Sequence, residues 1–197
     1  MYQLILIQTY LNEGYPLNSS AYHVDIEGNR FLDEKIQKLI AKPDISSARY
    51  MSWLNDKSVL VFSDILNSDG SYSHFSPRNI LKRKINELKN EGYQINAASE
   101  LEFYLYSKTY SENVTRGIHN IKTIGSHVED YLLQQGDRFE NIMEQFRCKL
   151  KDSGITIEST KGEAAVGQHE INMTYSDILN QADNALVLKT VLTMFIN

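Results

Sequence analysis

Two pairs of glutamates in this chain have spacings that suit the binding of metal ions. Glu100 and Glu102 lie two residues apart in an apolar stretch, and Glu163 and Glu170 lie on either side of a Gly-Gln pair. Side chains alternate along a β-strand, so Glu100 and Glu102 would share one face with roughly 6.5–7 Å between them. Their repulsion is roughly 2–2.5 kcal/mol at an effective dielectric of about 20, and burial would add desolvation. Divalent ions of the magnesium or manganese type would offset this repulsion, and all four carboxylates could converge on them.

Each of these features also has a simpler explanation. A Glu-x-Glu pair within a strand most often lies on a solvent-exposed face, because charged side chains are usually exposed. The second glutamate segment further along the chain favours metal ligation over that explanation. Strand alternation turns His169 away from the face of Glu170, so a structural role is predicted for it. Glu158 by itself is typical of a surface acid, and Cys148, close to Phe146 on a predicted helix, of a small buried side chain.

Composition and charge are those of an ordinary globular protein. The 197 residues are 42% apolar and 23% charged, which is enough to bury a core as one domain or two small ones. The net charge of −5 argues against a broad phosphate-binding surface, so we expect no nucleic-acid partner. The single cysteine excludes an internal disulfide and a thiolate zinc site. The first apolar run is too short to span a bilayer and lacks a basic start, so we expect no signal peptide, no membrane association and a cytoplasmic location.

The first third of the chain predicts short strands around one helix. The predicted elements, in residue numbers, are strands at 4–9 and 21–26, a turn at 27–29, a helix over 32–40 that Pro43 ends, and a hairpin of 48–54 with 59–62. Together they would form a small α+β module.

The rest of the chain predicts amphipathic helices that alternate with strands. A serine followed by proline at 76–77 begins a helix, and Gly92 ends it. The later elements are the glutamate-bearing strand at 97–106, an exposed loop over 107–126, a helix around 139–150, a short strand at 155–158 and a long helix over 178–195. The last helix carries an apolar stripe that no glycine or polar tail closes, which is typical of a chain cut short.

Four segments together resemble the glutamine synthetase family, most closely its branch that acts on glutamate and larger amines such as polyamines. They are a helix start at 75–83, the Glu-x-Glu-Phe strand that begins at Glu100, the segment from Glu163 to Asn172, and 177–189. A weaker similarity covers 17–25. The two glutamate motifs, in this order and separated by a helix, are specific as a pair, whereas either one alone is weak.

The resemblance implies an α+β fold with two domains. Residues 1–75 would form a small β-grasp-like N-terminal domain, although its usual first strand has no clear counterpart before Leu17. Residues 76–197 would form the first part of the glutamine synthetase catalytic domain, an antiparallel sheet with helices that is truncated at its C-terminal end. In this family the N-terminal domain completes the active site of a neighbouring subunit, which implies a homo- or hetero-oligomer.

The resemblance also implies roles for individual residues. Glu102, Glu163 and Glu170 match the three carboxylates of the metal that binds the substrate glutamate. Glu100 matches the early ligand of a second metal beside the ATP phosphates, and Glu158 matches, less closely, a glutamate at the nucleotide site. The implied cofactors are Mg²⁺ or Mn²⁺ and ATP. The implied chemistry, part of nitrogen metabolism, activates the γ-carboxylate of glutamate as γ-glutamyl phosphate, which ammonia or an amine then attacks.

Three hypotheses about function follow. The chain has no counterpart of the later histidine and glutamate of the second metal, of the substrate-binding arginines or of the flap, which predicts a truncated ligase that is inactive alone. The second hypothesis is a non-catalytic subunit or regulator that assembles with a full-length synthetase. The third, an unstable remnant, would follow from an exposed apolar stripe at 178–195.

Overall fold

The computed structural model describes residues 2–30, 35–54 and 58–195 of the chain. The chain forms two compact units, Met1–Ala48 with Leu60–Ile95 and Arg49–Val59 with Asn96–Asn197. The first compact unit extends to Ile95 and includes the helix that begins at Pro77, while the division into two domains after residue 75 stays a prediction. None of the helices in the described part of the chain is both long and apolar enough to cross a membrane.

The described residues contain both helices and strands, and the strands pair antiparallel in the three-stranded sheets, which confirms the expected α+β class. The helices are α1 (Tyr2–Glu13), α2 (Pro77–Asn90), α3 (Tyr110–Arg116), α4 (Leu133–Asp152) and α5 (Ile178–Phe195). The strands are β1 (Tyr15–Asn18), β2 (Lys38–Pro43), β3 (Arg49–Tyr50), β4 (Val59–Leu60), β5 (Ser63–Asn67), β6 (Asn96–Tyr104), β7 (Ile157–Gly162) and β8 (Gln168–Asp177).

The first unit is built on an antiparallel sheet in the order β1-β2-β5. Leu39 of β2 is 1% exposed and lies in the core of this unit. Asn79 of α2 is buried, and its side-chain amide donates to the carbonyl oxygens of Ile65 at 2.6 Å and Ser73 at 3.0 Å. Buried carbonyl groups need a donor, so these two bonds attach the start of α2 to β5 and the turn after it.

Three predictions for the first unit are wrong. Residues 4–9 lie in α1 rather than in a strand, and Gly14, with a φ of 88°, follows the end of this helix. Residues 21–26 form no strand, because Asn18 caps a 3₁₀ turn over Ser19–Tyr22. The predicted helix over 32–40 lies partly outside the described residues, and its last residues belong to β2, where Pro43 ends a strand. Short apolar runs fit a helix or a strand, so pairing with other strands decides between them.

Four charged side chains attach α2 to the rest of the first unit. Arg78 contacts Asp44 at 2.9 Å and Asp64 at 2.5 Å, and Lys82 contacts the same two carboxylates at 3.3 and 2.5 Å. Burial alone would raise the pKa of Asp44, but hydrogen bonds from Ser46 and Arg78 and the charge of Lys82 hold it well below its usual range. Two cations and two anions therefore compensate one another in a partly buried setting.

The second unit is built on an antiparallel sheet in the order β6-β8-β7. One face of this sheet is apolar and packs against α4 and α5. Each fully buried apolar side chain contributes about 1.5–3 kcal/mol to this core. The most deeply buried of them are Phe146 and Leu150 of α4, Ile171 and Met173 of β8, and Val191 of α5.

A short segment earlier in the chain also belongs to the second unit. β3 and β4 form the predicted hairpin, whose tip lies outside the described residues. The Arg49 guanidinium donates to the side-chain oxygens of Asn180 and Asn184 on α5, and the Ser153 hydroxyl donates to the Tyr50 carbonyl at 2.7 Å. These bonds attach β3 to the ends of two helices.

Other sequence predictions for the second unit had mixed outcomes. The apolar stripe of α5 is only partly exposed, because Val191 and Leu192 are buried within the unit whereas Leu186 is 55% exposed. The region 107–126 contains the helix α3 and is not simply a loop. Cys148 is exposed rather than buried, because it lies two residues from both Phe146 and Leu150 and therefore on another side of α4.

The strongest local signals are confirmed. Ser76 caps α2 by accepting a hydrogen bond from the Asn79 N–H, and Pro77 is the first residue of the helix. Burial alternates residue by residue along all of β6. The predicted helices around 139–150 and over 178–195 are α4 and α5.

Arg78→Met should destabilise the first unit by about 2–4 kcal/mol, because it leaves two partly buried carboxylates with Lys82 alone. The matched control is Arg83→Met on the same helix, where the arginine is 56% exposed and only 4.0 Å from Glu87. The control should change stability by no more than roughly 0.5 kcal/mol. Hydrogen exchange of the α2 amides measures both; equal protection in the two variants would contradict this role of Arg78.

Gly167→Ala should destabilise the second unit by more than Gly154→Ala. Both glycines have a φ of 77°, so the backbone strain of about 1–2 kcal/mol is common to both variants. A Cβ at 167 would lie 2.6 Å from the Thr123 Cβ and 2.8 Å from the Ile124 oxygen, whereas a Cβ at 154 meets nothing within 4 Å. Urea unfolding followed by Trp53 fluorescence should show an extra loss of roughly 1–3 kcal/mol at 167, and equal losses would refute the clash.

Candidate metal centre

The register of the β6-β8-β7 sheet places three charged side chains in one row. Glu102 of β6 lies directly opposite Glu170 of β8, and Glu170 lies directly opposite Lys161 of β7. Residues directly opposite in antiparallel strands point to the same face, with Cβ atoms about 4.5–5.5 Å apart. Two carboxylates and one ammonium group therefore lie side by side on the face that α4 and α5 do not cover.

Glu163 joins this row from the turn between β7 and β8. Its backbone N–H donates to the Gln168 oxygen at 3.0 Å, which closes the turn. One carboxylate oxygen from each of Glu102, Glu163 and Glu170 lies within 4.8 Å of the other two. These three residues are called the carboxylate cluster below. Glu170 is 4% exposed, Glu163 is partly buried and Glu102 is exposed, so the cluster opens to solvent on one side.

Two neighbouring side chains contact the carboxylate cluster. The Gln168 amide donates to Glu102 Oε2 at 2.6 Å. Lys161 Nζ lies 2.5 Å from Glu163 Oε1 and 3.3 Å from Glu170 Oε2. Lys161 is not among the site residues predicted from the sequence. The one available signal was its position two residues before Glu163 at the end of a strand, which favours the same face for both side chains.

The pKa values of the neighbouring Glu163 and Glu170 carboxyls shift in opposite directions. The pKa of Glu163 is lowered to about 2, because its carboxylate accepts hydrogen bonds from the Glu170 carboxyl and from Lys161. Burial raises the pKa of Glu170, and the hydrogen bond that it donates to Glu163 raises it further. The hydrogen bonds to Glu163 and Glu170 raise the pKa of Lys161, which keeps it charged. A pair of carboxyls held close together usually has pKa values that are driven apart in this way.

The carboxylate cluster has the chemistry of a site for a small divalent cation. Its three side chains offer hard oxygen donors, which Mg²⁺ and Mn²⁺ prefer. Their span of 4.8 Å is close to the roughly 4.2 Å between opposite ligands of an ion with bonds of about 2.1 Å. The donors fit such an ion, which Glu102, Glu163 and Glu170 would hold together.

The other two predicted site residues lie outside the carboxylate cluster. Glu100 is exposed on the same face of β6, two residues before Glu102 and opposite Asn172 of β8. Glu158 is exposed on β7, where a bulge between Ile157 and Ser159 leaves it without a register partner on β8. Three of the four predicted metal ligands therefore converge, and the roles of Glu100 and Glu158 remain predictions.

His169 lies on the opposite face of the sheet, as strand alternation predicts. Its ring lies 5.2 Å from that of Phe139 and 6.1 Å from that of Phe103, and burial lowers its pKa. A cavity of about 240 Å³ lies between this face and α4, and the buried carboxylate of Glu129 also lines it. Glu129 contacts Arg138 at 3.4 Å. This cavity lacks the three converging donors of the carboxylate cluster.

Comparison with known proteins places this geometry in a family. Residues 74–196 match the family described as glutamine synthetase, catalytic domain. The glutamate–isopropylamine ligase of a Pseudomonas species is 32% identical over 147 residues, which are 75% of this chain and 32% of that protein. The gamma-glutamylethanolamide synthetase GlnA4 of Streptomyces coelicolor is 30% identical over 149 residues, 76% of this chain and 32% of that protein.

Solved structures share the fold. A novel glutamine synthase homolog superimposes with a TM-score of 0.76 at 16% identity, over 98% of this chain and 43% of that chain. A GmaS/ADP complex superimposes with a TM-score of 0.77 at 17% identity, over 98% of this chain and 41% of that chain.

The matched regions cover most of this chain but only part of each relative. The chain spans about a third of the length of the two curated relatives named above. The match to the catalytic-domain family nevertheless covers more than half of the chain and includes all three residues of the carboxylate cluster. The chain therefore belongs to the glutamine synthetase family.

Proposed function

We propose that this chain supplies the metal-binding carboxylates of an ATP-dependent ligase that joins the γ-carboxylate of glutamate to ammonia or an amine. The observation that carries the proposal is the convergence of Glu102, Glu163 and Glu170 within 4.8 Å of one another. Members of the family ligate glutamate with ammonia or amines, and the two relatives above are named for isopropylamine and for an ethanolamide. Those names support an amine as the second substrate.

The residues of the carboxylate cluster would divide the work of holding the ion. Glu170, buried on the central strand, provides the least mobile oxygen donor. Gln168 orients Glu102 through its hydrogen bond of 2.6 Å, and the turn after β7 places Glu163 beside both. A bound Mg²⁺ or Mn²⁺ would neutralise negative charge on substrate oxygens, which is the contribution that divalent ions make to phosphoryl transfer.

Catalysis would require more ligands than the described residues bring together. Glu100 lies apart from the carboxylate cluster and has no second carboxylate opposite it, since its register partner is Asn172. The predicted roles of Glu100 at a second metal and of Glu158 at ATP therefore depend on groups from outside the described residues. We propose that the 197-residue chain is inactive by itself; the alternative function is that of a non-catalytic subunit that assembles with a full-length synthetase.

Removal of one carboxylate should weaken Mn²⁺ binding. Glu163→Gln should raise the dissociation constant by about tenfold or more, because one of three charged donors is lost. Glu144→Gln is the control, since it removes an exposed carboxylate of α4 that lies outside the cluster, and it should change the constant by less than about threefold. Electron paramagnetic resonance of free Mn²⁺ measures both. Equal effects of the two variants would show that binding is nonspecific.

The purified chain should show no ligation above background with ATP, glutamate, Mg²⁺ and a panel of primary amines. Release of phosphate and formation of the γ-glutamyl amide are both measured, because either product alone can arise without ligation. Turnover that Glu163→Gln abolishes would contradict the proposed inactivity while supporting the site. Co-elution with a full-length synthetase, with a change in its activity, would support the subunit hypothesis over an isolated chain.

A further inference from the structure

Lys161 is the one positively charged side chain in contact with the carboxylate cluster among the described residues. Its ammonium group contacts Glu163 at 2.5 Å and Glu170 at 3.3 Å. Both oxygens belong to residues that the proposed function assigns to a divalent ion. A metal ion bound in this cluster would therefore lie next to the Lys161 ammonium group.

We propose that Lys161 is an internal counter-cation of the carboxylate cluster, and that it must withdraw before a divalent ion can bind there. The proposal rests on the proposed function, because it takes Glu163 and Glu170 as metal ligands. In this proposal Lys161 competes with the ion. The net free energy of binding Mg²⁺ or Mn²⁺ is the free energy gained from the ion's own contacts less the free energy lost when the lysine contacts break.

The backbone, rather than a single side-chain rotamer, places Lys161 in the cluster. Lys161 and Glu170 are direct register partners on β7 and β8, so their side chains leave the sheet on the same face. Glu163 follows Lys161 by two residues and lies beside it. From this backbone position the ammonium group reaches both carboxylates.

Competition follows from charge and from space. A divalent ion binds carboxylate oxygens at about 2.0–2.2 Å, and an ammonium group at 2.5 Å from the same oxygen occupies the neighbouring position. Two cations that share one carboxylate repel each other strongly at such separations. The ion and the ammonium group therefore exclude each other from Glu163.

The lysine side chain has a path out of the cluster. Lys161 is 41% exposed and lies on β7, an edge strand of the described sheet. Its four-carbon stem is flexible, so the ammonium group can turn to solvent without a change in the backbone. The ring of Tyr131, which is 91% exposed, lies 5.9 Å from Nζ and offers a second position for the cation.

The test compares Mn²⁺ binding by the wild-type chain, Lys161→Gln, Lys161→Arg and the control Lys151→Gln, an exposed lysine of α4. Lys161→Gln should bind Mn²⁺ about tenfold or more tightly than the wild type, because the competing charge is gone. Lys161→Arg should stay near the wild-type value, because the charge remains. The control should match the wild type.

The outcomes separate this proposal from the proposed function. If the wild type binds Mn²⁺, Glu163→Gln weakens binding and Lys161→Gln leaves affinity unchanged or reduces it, the competition is refuted and the metal site stands. If Mn²⁺ binds to none of the chains, including Lys161→Gln, the metal site itself is refuted, and the competition with it. Tighter binding by Lys161→Gln but not by Lys151→Gln supports both.

A second measurement needs no variant at Lys161. An amine-reactive N-hydroxysuccinimide ester labels lysines at a rate that depends on how free the amine is, and peptide mass spectrometry reads each site separately. In the wild-type chain, saturating Mg²⁺ should speed the labelling of Lys161 by about threefold or more relative to Lys151, because the ammonium group loses its carboxylate partners. A rate at Lys161 that Mg²⁺ leaves unchanged or lowers would overturn the proposal.

Discussion

Carboxylates that share one face of a sheet repel one another, and the surroundings of Glu102, Glu163 and Glu170 are arranged to offset that repulsion. The Lys161 ammonium group lies against two of them, the pKa of Glu163 is lowered while that of Glu170 is raised, and Gln168 donates to Glu102. Each of these contacts depends on the register of β6, β8 and β7, because the register decides which side chains are neighbours. A shift by one residue would turn the cluster toward the helices.

The opposite face of the same strands provides the reason why the register is stable. Ile171 and Met173 alternate with Glu170 along β8 and are buried against α4 and α5, together with Phe146 and Leu150. Apolar burial on one face therefore holds the charged residues on the other. The predicted metal ligand and the core residues occupy alternate positions of one strand. Glu170 can therefore be buried next in sequence to a core residue while its side chain lies on the other face of the sheet.

In this member of the glutamine synthetase family, a lysine of the chain itself lies against the carboxylate cluster. The family match covers the three residues of the carboxylate cluster, while the chain spans about a third of the length of the curated relatives named above. A lysine among three carboxylates supplies internally part of the charge that a divalent ion would bring. The cluster can therefore be formed by the folded chain itself, with the ion as a competitor for contacts that already exist.

Local signals in the sequence determined the elements with clear periods and caps, such as α2 after Ser76 and the alternating strand β6, and the pairing of the two glutamate motifs pointed to the site. Short apolar runs such as 4–9 were misread, since they suit a helix as well as a strand until partner strands are known. Only the tertiary structure decided that Glu100 stands outside the cluster and that Lys161 stands inside it. The physical reason is that register between distant strands is set by the packing of the whole sheet, which no local pattern contains.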